Sequence, residues 1–422
     1  MTRSAGTTRR RTVTFGGGTL VVLAAFVGVD LIRQAIQPAI TSPEARRQAL
    51  LDDINAAITS GVAFLESRQS ADGAWRSQTY GFMKDGITLT PHVLSATTAL
   101  PESMASASTA RGVDYLLGID PTTAVLLQPV YTAAETSWVL RLAGHEQAAD
   151  PWLDLIESHQ LTEQLGWPRT DARYGGWSYA TSPPTYDTDA VDLIRPDANM
   201  SATVFGVGAL KLAGRLSPVR AEAAIAFVEL IQSGGMWFSP LDDARNKAGW
   251  VPSGLPDPVP LISPAVRRVR SDGERLGNFG FYHNVYGSPT ADGVRTLLAC
   301  GLPLDDTRVR AAGDWLIEHF RADTVPGDFA DGRERLRHGY YHYYAWSVSH
   351  ALRRLGVTHA GADRQTPWAD QLALALIASQ RVDGSWRNAS TDGKEDDPLV
   401  ATPFALSALA VCRNALMEVP AE

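Results

Sequence analysis

The densest run of side chains able to bind or to do acid–base chemistry is His338-Gly339-Tyr340-Tyr341-His342-Tyr343-Tyr344-Ala345-Trp346. His338 and His342 are four residues apart, Tyr341 and Tyr344 three apart, so at helical spacing each pair shares a face. Imidazoles and phenols gathered in that way suit an anionic head group or, through the ring faces, a cation. The competing reading is an aromatic plug whose histidines are satisfied by core partners. His92 holds the matching place in an earlier segment, and His283 follows Tyr282 in a long loop, GNFGFYHNVYG. The six residues His338, Tyr341, His342, Tyr344, His92 and His283 are therefore the expected ligand contacts. No acid–base partner can be set beside them from sequence, so no catalytic residue is assigned. Asp187-Thr188-Asp189-Ala190 offers a pair of acids, but in a proline-rich loop between Pro183 and Pro196 they read as solvated. Cys300 and Cys412 lie in no CxxC or CxxH spacing and follow apolar helical stretches, so they read as buried thiols. No metal or other cofactor is expected.

The elements that must position these residues announce themselves as repeats. Gln69-Ser70-Ala71-Asp72-Gly73-Ala74-Trp75-Arg76 and Gln380-Arg381-Val382-Asp383-Gly384-Ser385-Trp386-Arg387 both read Q-x-x-D-G-x-W-R. Each follows an amphipathic helix, and each precedes a second helix marked by Thr-Pro, at Thr90-Pro91 and Thr402-Pro403. Weaker copies of the turn stand at Gln232 to Trp237 and Tyr174 to Trp177. The second-helix pattern recurs at 131–144, 200–214, 290–302 and 343–356, giving six helix–turn–helix units across residues 50–416. Gly73 and Gly384 supply the positive φ that ends a helix. Trp75 and Trp386 should fold back over it, Gln69 and Gln380 should satisfy loop carbonyls, and the Thr of Thr-Pro is expected to be an N-cap. Asp72 and Asp383 complete the turn. The fold class is all-α, built from six hairpins, and the likeness of the first and last units favours a closed ring over an open solenoid.

Six hairpins with Q-x-x-D-G-x-W turns resemble the prenyltransferase/squalene-oxidase repeat of squalene–hopene and oxidosqualene cyclases and of protein prenyltransferase β-subunits. The resemblance spans roughly residues 55–415. It implies a terpenoid cyclase/protein prenyltransferase-like α/α toroid, with the second helix of each hairpin in an inner ring around an apolar cavity that, in the enzymes, holds an isoprenoid chain. The D-x-D-D acid motif of those cyclases maps to Asn199-Met200-Ser201-Ala202, where no acid stands, or, with the register slipped by two, to Asp197-Ala198-Asn199-Met200, where Asn replaces the middle acid. The D-x-C pair of the prenyltransferase zinc site is absent too, because Leu298 precedes Cys300 and Ala410 precedes Cys412 at that offset. The expected function is binding of an isoprenoid, lipid or extended peptide in the cavity, the alternative a divergent cyclase or prenyl-group transferase without the usual motifs.

Composition bounds the rest. Hydrophobic residues at 45% and charged residues at 20% describe a folded globular chain, and a net charge of −8 argues against nucleic acid as a partner. Residues 1–11 carry four arginines, and no charge falls between Thr12 and Val29. That pattern predicts a transmembrane helix or signal-anchor over 12–32, with residues 1–11 cytoplasmic and the toroid outside; cleavage and secretion is the alternative. Residues 33–49 read as a linker, 50–416 as the toroid and 417–422 as a tail. Membrane lipid, through the amino-terminal helix, is the expected partner.

Overall fold

A computed structural model describes residues 42–98, 100, 107–171, 173–187, 198–233, 236–237, 286–327, 329 and 334–418. The apolar amino-terminal run, Asp189, His283 and much of the two long insertions lie outside the described residues. Six long second helices carry the architecture: α2 (Leu89–Thr97), α4 (Pro129–Leu142), α6 (Met200–Leu212), α8 (Gly287–Ala299), α11 (Tyr341–Leu355) and α13 (Pro398–Glu418). Each packs on the next, and α13 packs on α2, so they close an inner ring. Their partners are α1 (Pro43–Arg68), α3 (Ala107–Leu117), α5 (Glu146–Ser158), α7 (Pro218–Ile231), α9 (Thr307–His319) and α12 (Trp368–Ser379), with a one-turn α10 (Leu336–Gly339) ahead of α11. Strands among the described residues amount to two-residue antiparallel ladders, one pairing Trp177 with Asn199 and one pairing Gln232 with Trp237.

The inner helices are rich in small and apolar residues because both faces are used: one meets the outer layer, the other the ring axis. In α6, for example, Ala202, Thr203, Val207 and Leu210 are buried. α13 is long and apolar enough to cross a membrane, but two thirds of that stretch is buried inside the ring, so its place in the core accounts for its composition.

The turns stitch neighbouring hairpins together. Gln69 Nε2 donates to Gly73 O in its own turn (2.9 Å) and to Ser108 O in α3 (2.7 Å). Gln160 does the same to Gly175 O and to Arg220 O in α7, and Gln232 reaches Arg308 O in α9. Gln380 bonds Gly384 O and Ala57 O of α1, both at 2.9 Å, which ties the last hairpin to the first. Glycine is required for this approach: Gly384 has φ +87°, and a Cβ there would sit 2.3 Å from Ser60 O. Trp75, Trp177 and Trp386 are almost wholly buried, and each donates its indole N–H to a carbonyl at the end of the preceding helix, Leu65, Ile156 and Leu376 respectively. Each buried indole donor is thereby satisfied by a carbonyl in the last turns of a helix, where carbonyls have lone pairs to spare.

The Thr-Pro pairs differ from the N-caps expected of them. α2 begins at Leu89 and α13 at Pro398, so Thr90 and Thr402 already lie inside their helices. Their hydroxyls instead accept from the backbone N–H of Trp75 (3.1 Å) and Trp386 (3.0 Å), and Thr203 accepts likewise from Trp177. The Thr is a peg that holds the Trp turn against the inner helix. A buried backbone N–H in a non-helical turn needs such an acceptor.

Candidate functional site

Side chains spaced three or four apart on the inner helices meet at the ring axis. They line two stacked chambers, of about 410 Å³ and about 380 Å³. The first lies at the amino-terminal ends of the inner helices and draws on Leu89, Tyr131, Ser201, Ser288, Tyr343 and Val400; the second lies at their carboxy-terminal ends and draws on Trp138, Lys211, Arg295, His350, Arg354 and Ser407. His92, Glu135, Phe205 and Phe404 face both. Between the chambers the rings form a waist: Trp346 stands 5.2 Å from Phe205 and 5.5 Å from Phe404, and Tyr343 meets Phe404 edge-on at 5.4 Å. Tyr131 packs on Phe205 at 4.9 Å. Where a ring face is open to the cavity it favours positive charge.

The aromatic run between His338 and Trp346 does reach the cavity, but in a different register from the one expected. The wall takes Tyr340 and Tyr343 in the first chamber and Trp346 in the second, rather than Tyr341, His342 and Tyr344. The reason is a break at Tyr340 (φ −128°, ψ 30°) that separates α10 from α11, so His338 and His342 do not share one continuous helix face. His338 is exposed. Tyr341 donates to Ala322 O at 2.6 Å, and Tyr344 is buried close to Gly287 of α8. His342 Nδ1 lies 2.9 Å from Glu395, which also accepts from the backbone N–H groups of His342 (3.0 Å) and Tyr343 (2.9 Å) and from Asn388 Nδ2 (2.7 Å). Glu395 thus closes the amino terminus of α11 from the loop before α13, and His342 is one of its partners. That loop, with Asp392, Gly393 and Lys394, forms part of the first chamber's rim.

His92 lies in the cavity wall. Its Nδ1 lies 2.8 Å from Glu135 and its Nε2 3.0 Å from Val400 O, so both ring nitrogens face acceptors. Burial pulls the imidazole pKa down, but the Glu135 carboxylate and the Val400 carbonyl outweigh it and the pKa is raised. The two side chains form a buried hydrogen-bonded pair that faces both chambers and favours the charged form of His92.

The acid that sequence reasoning missed is Asp292. It sits one turn into α8, is 1% exposed and faces the first chamber. Tyr343 donates to it at 2.7 Å and Ser347 at 2.5 Å, while Arg295, one turn on, lies 3.7 Å away. Burial raises its pKa to about 6 against the lowering influence of Arg295, Ser347 and Tyr343. Arg295 in turn bonds Ser347 (3.1 Å) and lies over the Trp346 ring at 4.0 Å. The available signal was a single acid inside a largely apolar inner-helix repeat, as with Glu135 in YTAAETSWVLRLAG and Asp292 in TADGVRTLLACGL. At the place of the family's acid motif, Asn199 caps α6 by accepting from Ala202 N, and Ser201 bonds Tyr131 at 2.5 Å. Cys412 is buried as expected, but Cys300 is only half-buried, because it sits at the end of α8; desolvation still pushes the Cys300 thiol up to about 12, so neither is set up as a nucleophile. Among the described residues no three His, Cys, Asp or Glu side chains are grouped to hold a metal ion.

No family model matches the chain, and no curated protein does. Among solved structures it is similar to type II terpene cyclase MstE from Scytonema. The complex of an MstE variant with geranylgeranyl dihydroxybenzoate (substrate) shares 15% identity over 88% of this chain and 99% of that chain, with a TM-score of 0.50. A second MstE variant, in the apo form, shares 14% over the same fractions with the same score. At that identity the likeness is one of fold, and it agrees with the ring of inner helices: the chain has a terpenoid cyclase-like α/α-toroid fold.

Proposed function

We propose that the toroid binds a long, mostly apolar ligand of the isoprenoid or lipid class along its ring axis, and that residues 12–32 hold it at a membrane with the toroid outside the cytoplasm. The observation that carries the binding reading is the two-chambered axial cavity with its aromatic waist. Each chamber falls within the size range of small-molecule sites, and stacked end to end they suit an extended chain better than a compact one. Trp346 and Trp138 face the cavity, so a ligand should change tryptophan fluorescence. Titration with geranylgeraniol, squalene and geranylgeranyl dihydroxybenzoate should give saturable quenching by at least one, weakened by Phe404→Trp, which narrows the waist. Linear, unsaturable responses to all three would refute the reading.

A second reading is favoured by Asp292. A carboxyl group held protonated up to about pH 6 in an apolar, aromatic-lined cavity is placed for acid chemistry on a bound alkene or epoxide. Its O–H proton would pass to carbon or oxygen, the substrate would take up the positive charge, and the carboxylate left behind would be held by Tyr343, Ser347 and Arg295. Loss of a proton from carbon at the end of the sequence would restore the acid. Asp292→Asn should then abolish conversion while ligand quenching persists; conversion by the variant at the native rate would exclude Asp292 as donor.

A further inference from the structure

The second chamber differs from the first in charge. Its wall carries Lys211, Arg295, Arg353 and Arg354, with His350 between them. The carboxylates within reach are committed elsewhere. Glu135 is paired with His92, and Glu418 bonds Arg353 at 2.5 Å. Asp292 faces the other chamber and touches Arg295 only at 3.7 Å. Among the described residues, Lys211 and Arg354 have no carboxylate partner. The potential is positive enough to leave a mark on His350: burial first, then the charges of Arg295, Arg354 and Arg353, push its pKa well below the ordinary value, so the ring is neutral. A neutral imidazole and Asn414 add hydrogen-bonding capacity without adding charge.

Helix dipoles explain part of this arrangement. Lys211, Arg353 and Arg354 occupy the last turns of α6 and α11, where cations offset the partial negative charge of the carboxy terminus. They do not explain Arg295. It stands a full turn before the end of α8, is largely buried, and projects into the chamber over Trp346. Its desolvation lowers its own pKa, a penalty that a surface dipole would not require. Four cations lining one concave space, two of them without carboxylate partners among the described residues, suit an oxyanion.

We propose that the second chamber receives the oxyanion head group, phosphate or carboxylate, of the ligand whose apolar chain lies toward the first chamber. The proposal rests on the apolar-ligand reading for the chain but not for the anion. The head group would be held by Arg354 and Lys211 at the open end and by Arg295 at the waist, with His350 donating a neutral hydrogen bond. The ligand's orientation follows: charged end at the carboxy-terminal end of the inner ring, alkenes toward Asp292.

The test is calorimetry on the full chain in detergent with three probes: sodium pyrophosphate, geranylgeraniol and geranylgeranyl phosphate. The phosphate ester should bind at least about tenfold more tightly than the alcohol, since charge-assisted hydrogen bonds exceed neutral ones. That advantage should shrink as salt rises and disappear in the Lys211→Gln, Arg354→Gln double variant. These two side chains are exposed, so the variant should keep the fold, and its affinity for the alcohol should stay near the native value. Arg169→Gln, a remote surface change, should alter nothing. Equal binding of alcohol and ester, or an advantage that survives the double variant, would overturn the proposal while leaving the apolar-ligand reading intact. Binding of pyrophosphate that the double variant removes, without binding of the alcohol, would support the anion site and refute the apolar chain.

Discussion

Replacing Asp292 by Asn tests which of two opposed effects governs the centre of the cavity. Arg295, 3.7 Å away, favours the carboxylate, as do the hydroxyls of Tyr343 and Ser347. At that separation Coulomb attraction is worth about 4 kcal/mol in a partly screened protein site, whereas desolvation of a buried carboxylate also costs several kcal/mol. Burial wins here and places the carboxyl at about 6. The sign follows from linkage. Between the ordinary carboxyl value and about pH 6 the folded chain holds a proton that the unfolded chain has lost, so this group's contribution to stability falls as pH rises through that window. Moving the carboxyl from near 4 to about 6 leaves the ionised folded protein about 3 kcal/mol worse off at neutral pH. Asn mimics the neutral acid. Denaturant unfolding at pH 4 and pH 7 should therefore show the variant gaining about 2 kcal/mol on the native protein between the two, with other titrations cancelling in the difference. Tyr131 from α4 and Tyr343 from α11 also face this acid, but burial holds both phenols well above neutrality, so they do not titrate in the window. A flat difference, or one of opposite sign, would show that Arg295 prevails and that Asp292 is an ordinary ion-pair carboxylate; the acid-donor reading would fall with it.

Three further outcomes follow from the geometry. Trp386→Ala should cost about 3–5 kcal/mol and Thr402→Val about 1–3 kcal/mol in denaturant unfolding, because one empties a buried site and the other strands a buried N–H; losses well under 1 kcal/mol for both would deny the Trp turn its part in closing the ring. His92→Ala leaves Glu135 buried without its partner and should cost about 3–5 kcal/mol at pH 6; in the native protein the stabilisation from His92 is full below its unfolded value and lost as pH rises through the raised folded one, so the penalty should shrink in alkali. Glu395→Gln should speed amide hydrogen exchange at His342 and Tyr343 more than at the middle of α11, since both amides lose a charged acceptor.

The ring was legible because the motif that stitches it is short, although the bonds it makes reach other hairpins. Gln, Gly and Trp occur within seven residues of one another, and each has a chemical task that the chain cannot perform with other side chains. Gln160 escaped notice for the same reason in reverse: fifteen residues separate it from Gly175, whose carbonyl it still bonds. Thr402 was visible but misread, because an N-cap and a peg for a distant N–H need the same hydroxyl. The site was less legible. Asp292 takes its partners from Tyr343 and Ser347, more than fifty residues on, and nothing in either segment announces the other. The aromatic run was found, but a one-residue break at Tyr340 turned Tyr343 and Trp346 toward the axis in place of Tyr341 and Tyr344.

The direction of the ring supplies a physical reason for the two chambers to differ. Every inner helix presents its amino-terminal residues to the first chamber and its carboxy-terminal residues to the second. Six aligned helix dipoles therefore make the first end electropositive and the second electronegative before any side chain is counted. The acids Asp292 and Glu395 face the first end, and the cations Lys211, Arg353 and Arg354 the second, so side chains offset the backbone at both. At the first end the compensation is local: Glu395 closes the start of α11 through its own backbone N–H groups. At the second end it overshoots, because Arg295 adds a buried charge that no helix terminus uses. An excess of buried charge is costly unless something neutralises it, and within the described residues the only carboxylate in contact with Arg295 is Asp292, itself tending to hold a proton below about pH 6. Protonating Asp292 and binding an anion in the second chamber should then be coupled. Each leaves Arg295 to the other partner, so an anion that takes Arg295 should raise the pH at which Asp292 loses its proton.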